Sequence, residues 1–301
     1  RLGVDATRVG DGYQIKSVLH DGPADKGAMR LHVGDVILAI DFEPLKPTDT
    51  LDSRLLGKVD KEVVLTVRRD GNSVDLLITP VSYERIGDLS YSAWRLDSAK
   101  KVSDWSDGQL GYIHIQAMSQ TSLDTFERDL YAAAEGKKGL IIDVRNNGGG
   151  STADRLLASI MCARHAYTIA RGMDADATDA YPQDRLFIQR YDKPIDMLCN
   201  EKSFSNAEII AHAFKTLRRG TLVGQTTAGG VISTGGTTLL DGTSVRIPGR
   251  AWFLLDGTNM DRHGASPDLI VVQTPEDESA ETDAQLKATV EDLMKRVRQE
   301  R

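Results

Sequence analysis

Hydrophobic and polar positions change rhythm once along the chain. Up to about residue 82 the apolar residues alternate with polar ones or form short runs between turns. Tyr13 to Leu19 alternates as a strand, and Asp21-Gly22-Pro23 is a turn. Ala24 to Ala28 suits a short helix. Arg30 to Asp41 holds a Gly34-Asp35 turn and then the buried strand Val36 to Ile40. Glu62 to Ile78 reads as a hairpin with Asp70-Gly71 at its tip. Residues 83–109 form a polar connection, in which Tyr91, Trp94 and Ala99 suggest a partly buried helix.

From residue 110 the rhythm becomes that of an α/β fold. Leu110 to Ile115 is a strand. Leu123, Phe126, Leu130 and Ala133-Ala134 recur at helical spacing, and Gly136 to Gly139 break that helix. Leu140 to Val144 is a buried strand, and Thr152 to Met161 a helix. Residues 171–185 read as an exposed polar loop. Ile195 to Cys199 is a strand, residues 206–217 a helix, and Thr221 to Gly224 another strand. Residues 225–260 are glycine-rich with short strands that would lie over a cleft, and 283–301 form a charged amphipathic terminal helix. Strands alternating with helices predict a mostly parallel sheet.

The 301 residues allow about two domains. The boundaries expected are a β-rich domain at 1–82, a helical connection at 83–109 and an α/β core at 110–301. A net charge of −7, with lysine and arginine scattered, disfavours a nucleic-acid surface. No apolar run approaches the ~18 residues of a membrane span. Cys162 and Cys199 lack zinc-ligand spacing and read as small buried hydrophobes; no other metal-ligand spacing exists, and no cofactor is expected. The opening Arg1-Leu2-Gly3-Val4, without an initiator methionine, suggests a piece of a longer protein. The compartment stays open between cytoplasm and periplasm.

In a parallel sheet the loops after the strands gather at their carboxyl ends, where ligands bind. Three such loops carry chemistry. The first, Asp143 to Gly150, offers three glycines whose N–H groups suit an anion or a developing oxyanion. Gly148-x-Gly150-x-x-Ala153 also mimics a dinucleotide fingerprint, but Arg145, Asn146 and Asn147 separate the glycines from the strand. The second, Asn200 to Ser205, ends at the start of a helix. Ser205-x-x-Glu208 matches a capping box, yet a serine between a strand and a helix is also where a nucleophile is exposed. The G-x-S-x-G elbow of the α/β-hydrolases is absent. Lys202 lies close by but should point to solvent. The third loop, Asn259 to Asp268, sets Asp261 beside His263, a carboxylate and a candidate base, although, taken alone, an ordinary Asx/Gly turn before Pro267-Asp268 explains it better.

Gly22-Pro23-Ala24 followed by Arg30-Leu31-x-Val33-Gly34-Asp35-Val36-Ile37-Leu38-Ala39-Ile40-Asp41 resembles a PDZ domain. That resemblance implies a groove accepting an extended peptide by strand addition, with a carboxylate-binding loop at Leu2, Gly3 and Val4. The bland alternative is a packing spacer. The loops together, with Gly111 to Ile115, Thr221 to Ile232, Asp241-Gly242-Thr243 and His263-Gly264-x-x-Pro267-Asp268, resemble the C-terminal processing peptidases (S41 serine peptidases), in particular their tricorn-like branch. The family implies an α/β core similar to the crotonase and Clp folds. It also implies the nucleophile at Ser205 and an oxyanion hole from Asn206 N–H and Gly148 or Gly149.

Many processing peptidases use a lysine base within the segment that aligns with Thr226 to Gly230, and none is present there. The tricorn-like branch implies instead a histidine upstream of the PDZ unit, supported by a glutamate in the last loop, whose position here holds Asp261, one methylene shorter. Among the six histidines, His263 is the internal candidate; His20, His32, His114 and His212 read as structural, and His165 as an element-end residue. The resemblance further implies a peptide or unfolded-protein substrate, homo-oligomers and upstream β-propeller domains. The competing expectation is an inactive peptide-binding protein on a peptidase scaffold.

Overall fold

The computed structural model describes residues 1–27, 30–161, 171–172, 191–280 and 282–299. Cys162, His165 and most of the 171–185 loop lie outside the described residues. The chain divides into two compact units, Arg1–Asp97 and Ser98–Arg301.

The first unit is an antiparallel sheet. Its strands are β1 (Val4–Val9), β2 (Gly12–Val18), β3 (Val36–Ile40), β4 (Glu43–Pro44), β5 (Val63–Arg69) and β6 (Asn72–Ile78). They run in the order β1-β2-β3-β5-β6, with β4 paired to β3. The segment expected as a short helix is a single 3-10 turn at Pro23–Asp25, and a short α1 (Leu51–Arg54) follows β4. Ile15, Ile37, Leu65, Val67 and Leu76 fill the core, each from the inward-facing set of its strand. β1 escapes the sequence pattern because its inward residues, Val4 and Ala6, are small and only half-buried.

α2 (Tyr83–Trp105) follows. The second unit then alternates β7 (Leu110–His114), α3 (Gln120–Ala134), β8 (Gly139–Asp143), α4 (Ala153–Ile160), β9 (Ile195–Cys199), α5 (Asn206–Thr216) and β10 (Leu222–Gly224). A two-stranded antiparallel ribbon of β11 (Ile232–Thr238) and β12 (Ser244–Ala251) precedes β13 (Leu269–Ile270), α6 (Pro275–Ser279) and α7 (Ala284–Gln299). The main sheet has the order β13-β10-β9-β8-β7, and every neighbouring pair is parallel.

Alternation along these strands assigns side chains to two faces. Leu140 and Ile142 of β8, with Ile195, Met197 and Cys199 of β9, pack against Leu123, Phe126, Ile210 and Phe214 of the helices α3 and α5. Tyr112, Ile141 and Leu198 face the other way, onto Leu286, Val290 and Leu293 of α7. Cys199 is buried as expected, and burial pushes its thiol up to about 12. Among the described residues no helix is long and apolar enough to cross a membrane.

Two carboxylates share the α7 face. Asp143 is fully buried beneath the first loop, where it accepts from Tyr112 Oη at 2.9 Å and from Arg145 Nη2 at 2.7 Å. Arg145 continues to Asp283 at 2.8 Å, just before α7. Burial opposes ionisation of Asp143, but Arg145 and its hydrogen bonds prevail and hold the carboxyl below its usual range. Asp196 is as deeply buried, pairs with Arg296 and accepts from Thr221 N at 2.8 Å, yet its Oδ2 has no hydrogen-bond partner. Burial, only partly offset by Arg296, pushes Asp196 up to about 7.

Candidate active site

Parallel pairing brings the carboxyl ends of β8 and β9 side by side, and their loops are clamped together by side-chain amides. Asn200 Oδ1 accepts from Asn146 N at 3.0 Å, and Asn200 Nδ2 donates to Asn146 Oδ1 at 3.1 Å. Asn147 is fully buried; its Nδ2 donates to Ile115 O at 2.7 Å and its carbonyl accepts from Phe204 N at 2.9 Å. Ser203 is also fully buried, and its hydroxyl donates to Val144 O at 2.8 Å while accepting from Asn200 N at 3.1 Å. Ser203 is therefore a fastening of the turn. Lys202 is exposed, as the sequence suggests.

Ser205 is half-buried at the head of α5 with φ 56° and ψ −117°. A β-carbon-bearing residue rarely adopts such a conformation, which costs on the order of 1–3 kcal/mol and persists only where neighbours over-determine it. The result is a sharp strand-to-helix turn with Ser205 at its tip, built without the G-x-S-x-G glycines.

Ser205 and Glu208 face each other in the arrangement of a capping box. Ser205 N donates to Glu208 Oε1 at 2.9 Å. The Glu208 amide lies toward the Ser205 hydroxyl and bonds to the Ser205 carbonyl at 2.9 Å. Glu208 has no exposed surface; it also accepts from Thr227 Oγ1 and Gly229 N, each at 2.6 Å, and from Gly230 N at 2.8 Å.

Two glycines make close approaches here, and at Gly149 the backbone requires glycine. A β-carbon on Gly149, whose φ is +90°, would lie 2.7 Å from both Phe204 O and Ser205 Cβ. One on Gly230 would lie 2.0 Å from the Phe204 ring. The glycine loop therefore abuts the serine turn.

The donors differ in what they are free to do. Gly149 N is taken by Asn147 Oδ1 at 2.9 Å, and Ser205 N by Glu208. Among the described residues neither Gly148 N nor Asn206 N donates to a protein acceptor. The Asn206 side chain accepts from Ala153 N at 2.8 Å, tying the starts of α4 and α5 together.

The third loop reaches this assembly through its main chain: Arg262 N donates to Gly229 O at 2.7 Å. Asp261 is half-buried next to that contact. His263 is exposed, and its Nδ1 lies 2.8 Å from Asn259 O and 3.0 Å from Asp261 O, so the ring meets main-chain carbonyls and not the Asp261 carboxylate. Among the other histidines, His114 is buried with Nε2 2.9 Å from Arg145 O, His212 contacts Thr216, and His20 and His32 are exposed. In the first unit, Leu2 is buried, the Leu2 and Gly3 carbonyls accept from Ala24 N and Leu19 N, and Val4 opens the edge strand β1. Sequence reasoning missed the two amide clamps, Asn147 and Asn200, and the reach of Glu208. Only the spacing of Glu208 from Ser205 signalled any of them.

The site therefore joins a strained serine, a glycine loop and a helix start at the carboxyl ends of two parallel strands. Peptidase family S41 matches residues 109–271, and a PDZ domain matches residues 1–79. The chain belongs to peptidase family S41. It is 28% identical to the tricorn protease of Thermoplasma volcanium, over 97% of this chain and 28% of that protein. It is 32% identical to tricorn protease homolog 1 of Streptomyces coelicolor, over 96% of this chain and 27% of that protein. A crystal structure of the tricorn protease superposes with a TM-score of 0.81 and 26% identity, covering 99% of this chain and 29% of that one. The chain thus spans little more than a quarter of the length of these relatives.

Proposed function

We propose that this chain carries the nucleophile and oxyanion hole of a serine peptidase that hydrolyses peptides or unfolded proteins. The observation that carries the reading is the strained backbone of Ser205 beside two amides, Gly148 N and Asn206 N, that donate to no protein acceptor among the described residues. Ser205 Oγ attacks the carbonyl carbon of the scissile bond. Gly148 N and Asn206 N then donate to the tetrahedral oxyanion, because Gly149 N and Ser205 N are already committed. The positive end of the α5 dipole favours the same negative charge.

A serine hydroxyl needs a base to take its proton. Among the described residues no basic side chain hydrogen-bonds to Ser205 Oγ. We assign that proton to a histidine outside the described residues, upstream of the PDZ unit in the tricorn-like pattern, with Asp261 orienting it. The base later returns the proton to the leaving amine. The free outer edge of β1 supports a guiding role for the PDZ-like unit, which would bind an extended peptide end at Leu2, Gly3 and Val4 by strand addition.

The test uses the full-length protein. A fluorophosphonate should label Ser205 and block peptide cleavage, and Ser205→Ala should lower cleavage by about 10³-fold or more. Undiminished cleavage by the Ser205→Ala protein would refute the assignment. Binding of peptides without labelling or turnover would favour an inactive peptide-binding scaffold.

A further inference from the structure

Glu208 does more than a helix cap requires. A capping glutamate at the third helical position accepts from one amide and usually sits at the surface. Glu208 is fully buried and accepts four hydrogen bonds: Ser205 N and Gly230 N on Oε1, and Thr227 Oγ1 and Gly229 N on Oε2. Three of these donors belong to a separate segment that leads from β10 toward the ribbon. A carboxylate offers about four lone-pair sites, so these donors fill it.

Two consequences follow from that filling. The nearest buried carboxylate to the nucleophile has no acceptor site left for the Ser205 proton, so it does not act as the base. It also takes up the Ser205 amide, which leaves the next amide, that of Asn206, as the donor from this turn. At the same time it anchors Gly229 and Gly230. Gly229 in turn holds Arg262, next to Asp261, and Gly230 gives the Phe204 ring the space it occupies.

We propose that Glu208 is a positioning residue, which sets the direction of the Ser205 turn and fixes the 227–230 segment against it by accepting from both. The proposal rests on the reading of Ser205 as nucleophile. Displacing a reacting group by about 1 Å costs about 10²-fold in rate, so loss of this anchor should act mainly on turnover.

The experiment compares full-length wild-type protein with Glu208→Gln, which keeps the shape but presents an N–H₂ group to amide donors. Peptide cleavage over a range of pH should show kcat reduced by about 10²-fold, KM little changed and the ionisation limbs of the profile in place. Amide hydrogen exchange should quicken in the segments holding Ser205 and Gly229-Gly230, with the sheet strands unaffected. Loss of a limb would overturn the proposal by making Glu208 a proton-transfer group. Unchanged kcat would overturn it, as would a global loss of protection with normal turnover per folded molecule. If Glu208→Gln does not fold, wild-type exchange decides: Gly229 and Gly230 lie outside any strand, yet their amides should be protected like those of α5. Rapid exchange there refutes the anchor. If Ser205 resists labelling in wild-type protein, the peptidase reading fails, while the exchange pattern still decides the anchor.

Discussion

The turn from Asn200 to Ser205 and the loop from Asn259 to Gly264 both carry polar residues beside the same glycine segment, but they are built differently. The first is held through its side chains. Asn200, Ser203, Asn147 and Glu208 each satisfy two or more main-chain or side-chain groups, and three of the four have no exposed surface. That density is what allows Ser205 to remain at φ 56°. The second is held through its main chain, by Arg262 N to Gly229 O and His263 N to Met260 O, while the His263 ring stays exposed. A turn held this way can present its side chain in one direction. An exposed ring resting on carbonyls does not supply a preorganised base.

The contrast breaks most sharply at its foundation. Asp143→Asn should destabilise the second unit by about 3 kcal/mol, because it strips the buried Arg145 of one carboxylate and leaves only Asp283. Urea unfolding followed by fluorescence measures this. Gly149→Ala should cost about 2 kcal/mol through its left-handed backbone and its clash with the Ser205 turn, and should lower the rate of fluorophosphonate labelling. A normal labelling rate would mean that the turn does not need the glycine loop pressed against it.

Asp196 sharpens the comparison from the same sheet, since its anchoring is incomplete where that of Asp143 is full. Its folded pKa of about 7 lies above the ordinary unfolded value of about 3.9, so the native state binds the proton more tightly. This carboxyl therefore lowers stability progressively as pH rises from about 4 to about 7. Asp196→Asn keeps an acceptor for Thr221 N and removes the titration. The fall in urea midpoint between about pH 5 and about pH 7.5 should shrink in this variant. An unchanged pH difference would show that Asp196 ionises normally. The smallest effect belongs to the third loop: His263→Ala should change stability by no more than about 0.5 kcal/mol and leave peptide cleavage intact. A large loss of cleavage would give His263 the base role that its main-chain contacts argue against.

Much of the fold was legible because it is local. The alternation of Val63 to Ile78, the helical spacing of Leu123, Phe126 and Leu130, and the buried strands at Leu140 and Ile195 each occur where expected. The misses are short or weakly apolar elements, namely β1, β4, β13, α1 and α6, for which a few residues carry too little periodicity. Residue type suggests a helix over Ala24 to Ala28, but among the described residues Pro23 starts only a single 3-10 turn, and Ala28 lies outside them. Within the site, the serine turn and the glycine loop could be found from residue type and position. The amide clamps could not, because Asn200 and its partner Asn146 are 54 positions apart in the chain and meet only through parallel pairing of β8 and β9.

The sequence by itself determined that a serine would stand at the head of a helix, that a glycine-rich loop would follow an earlier strand of the sheet, and that a glutamate would lie one turn away. Those are consequences of local backbone preference. Tertiary structure alone decided which groups near Ser205 remain available. Asn147 takes Gly149 N, Glu208 takes Ser205 N, and the Ser205 carbonyl takes the Glu208 amide. Each donor forms one strong hydrogen bond, so the choice of partner depends on which segments are packed within about 3 Å, a distance that no local pattern specifies.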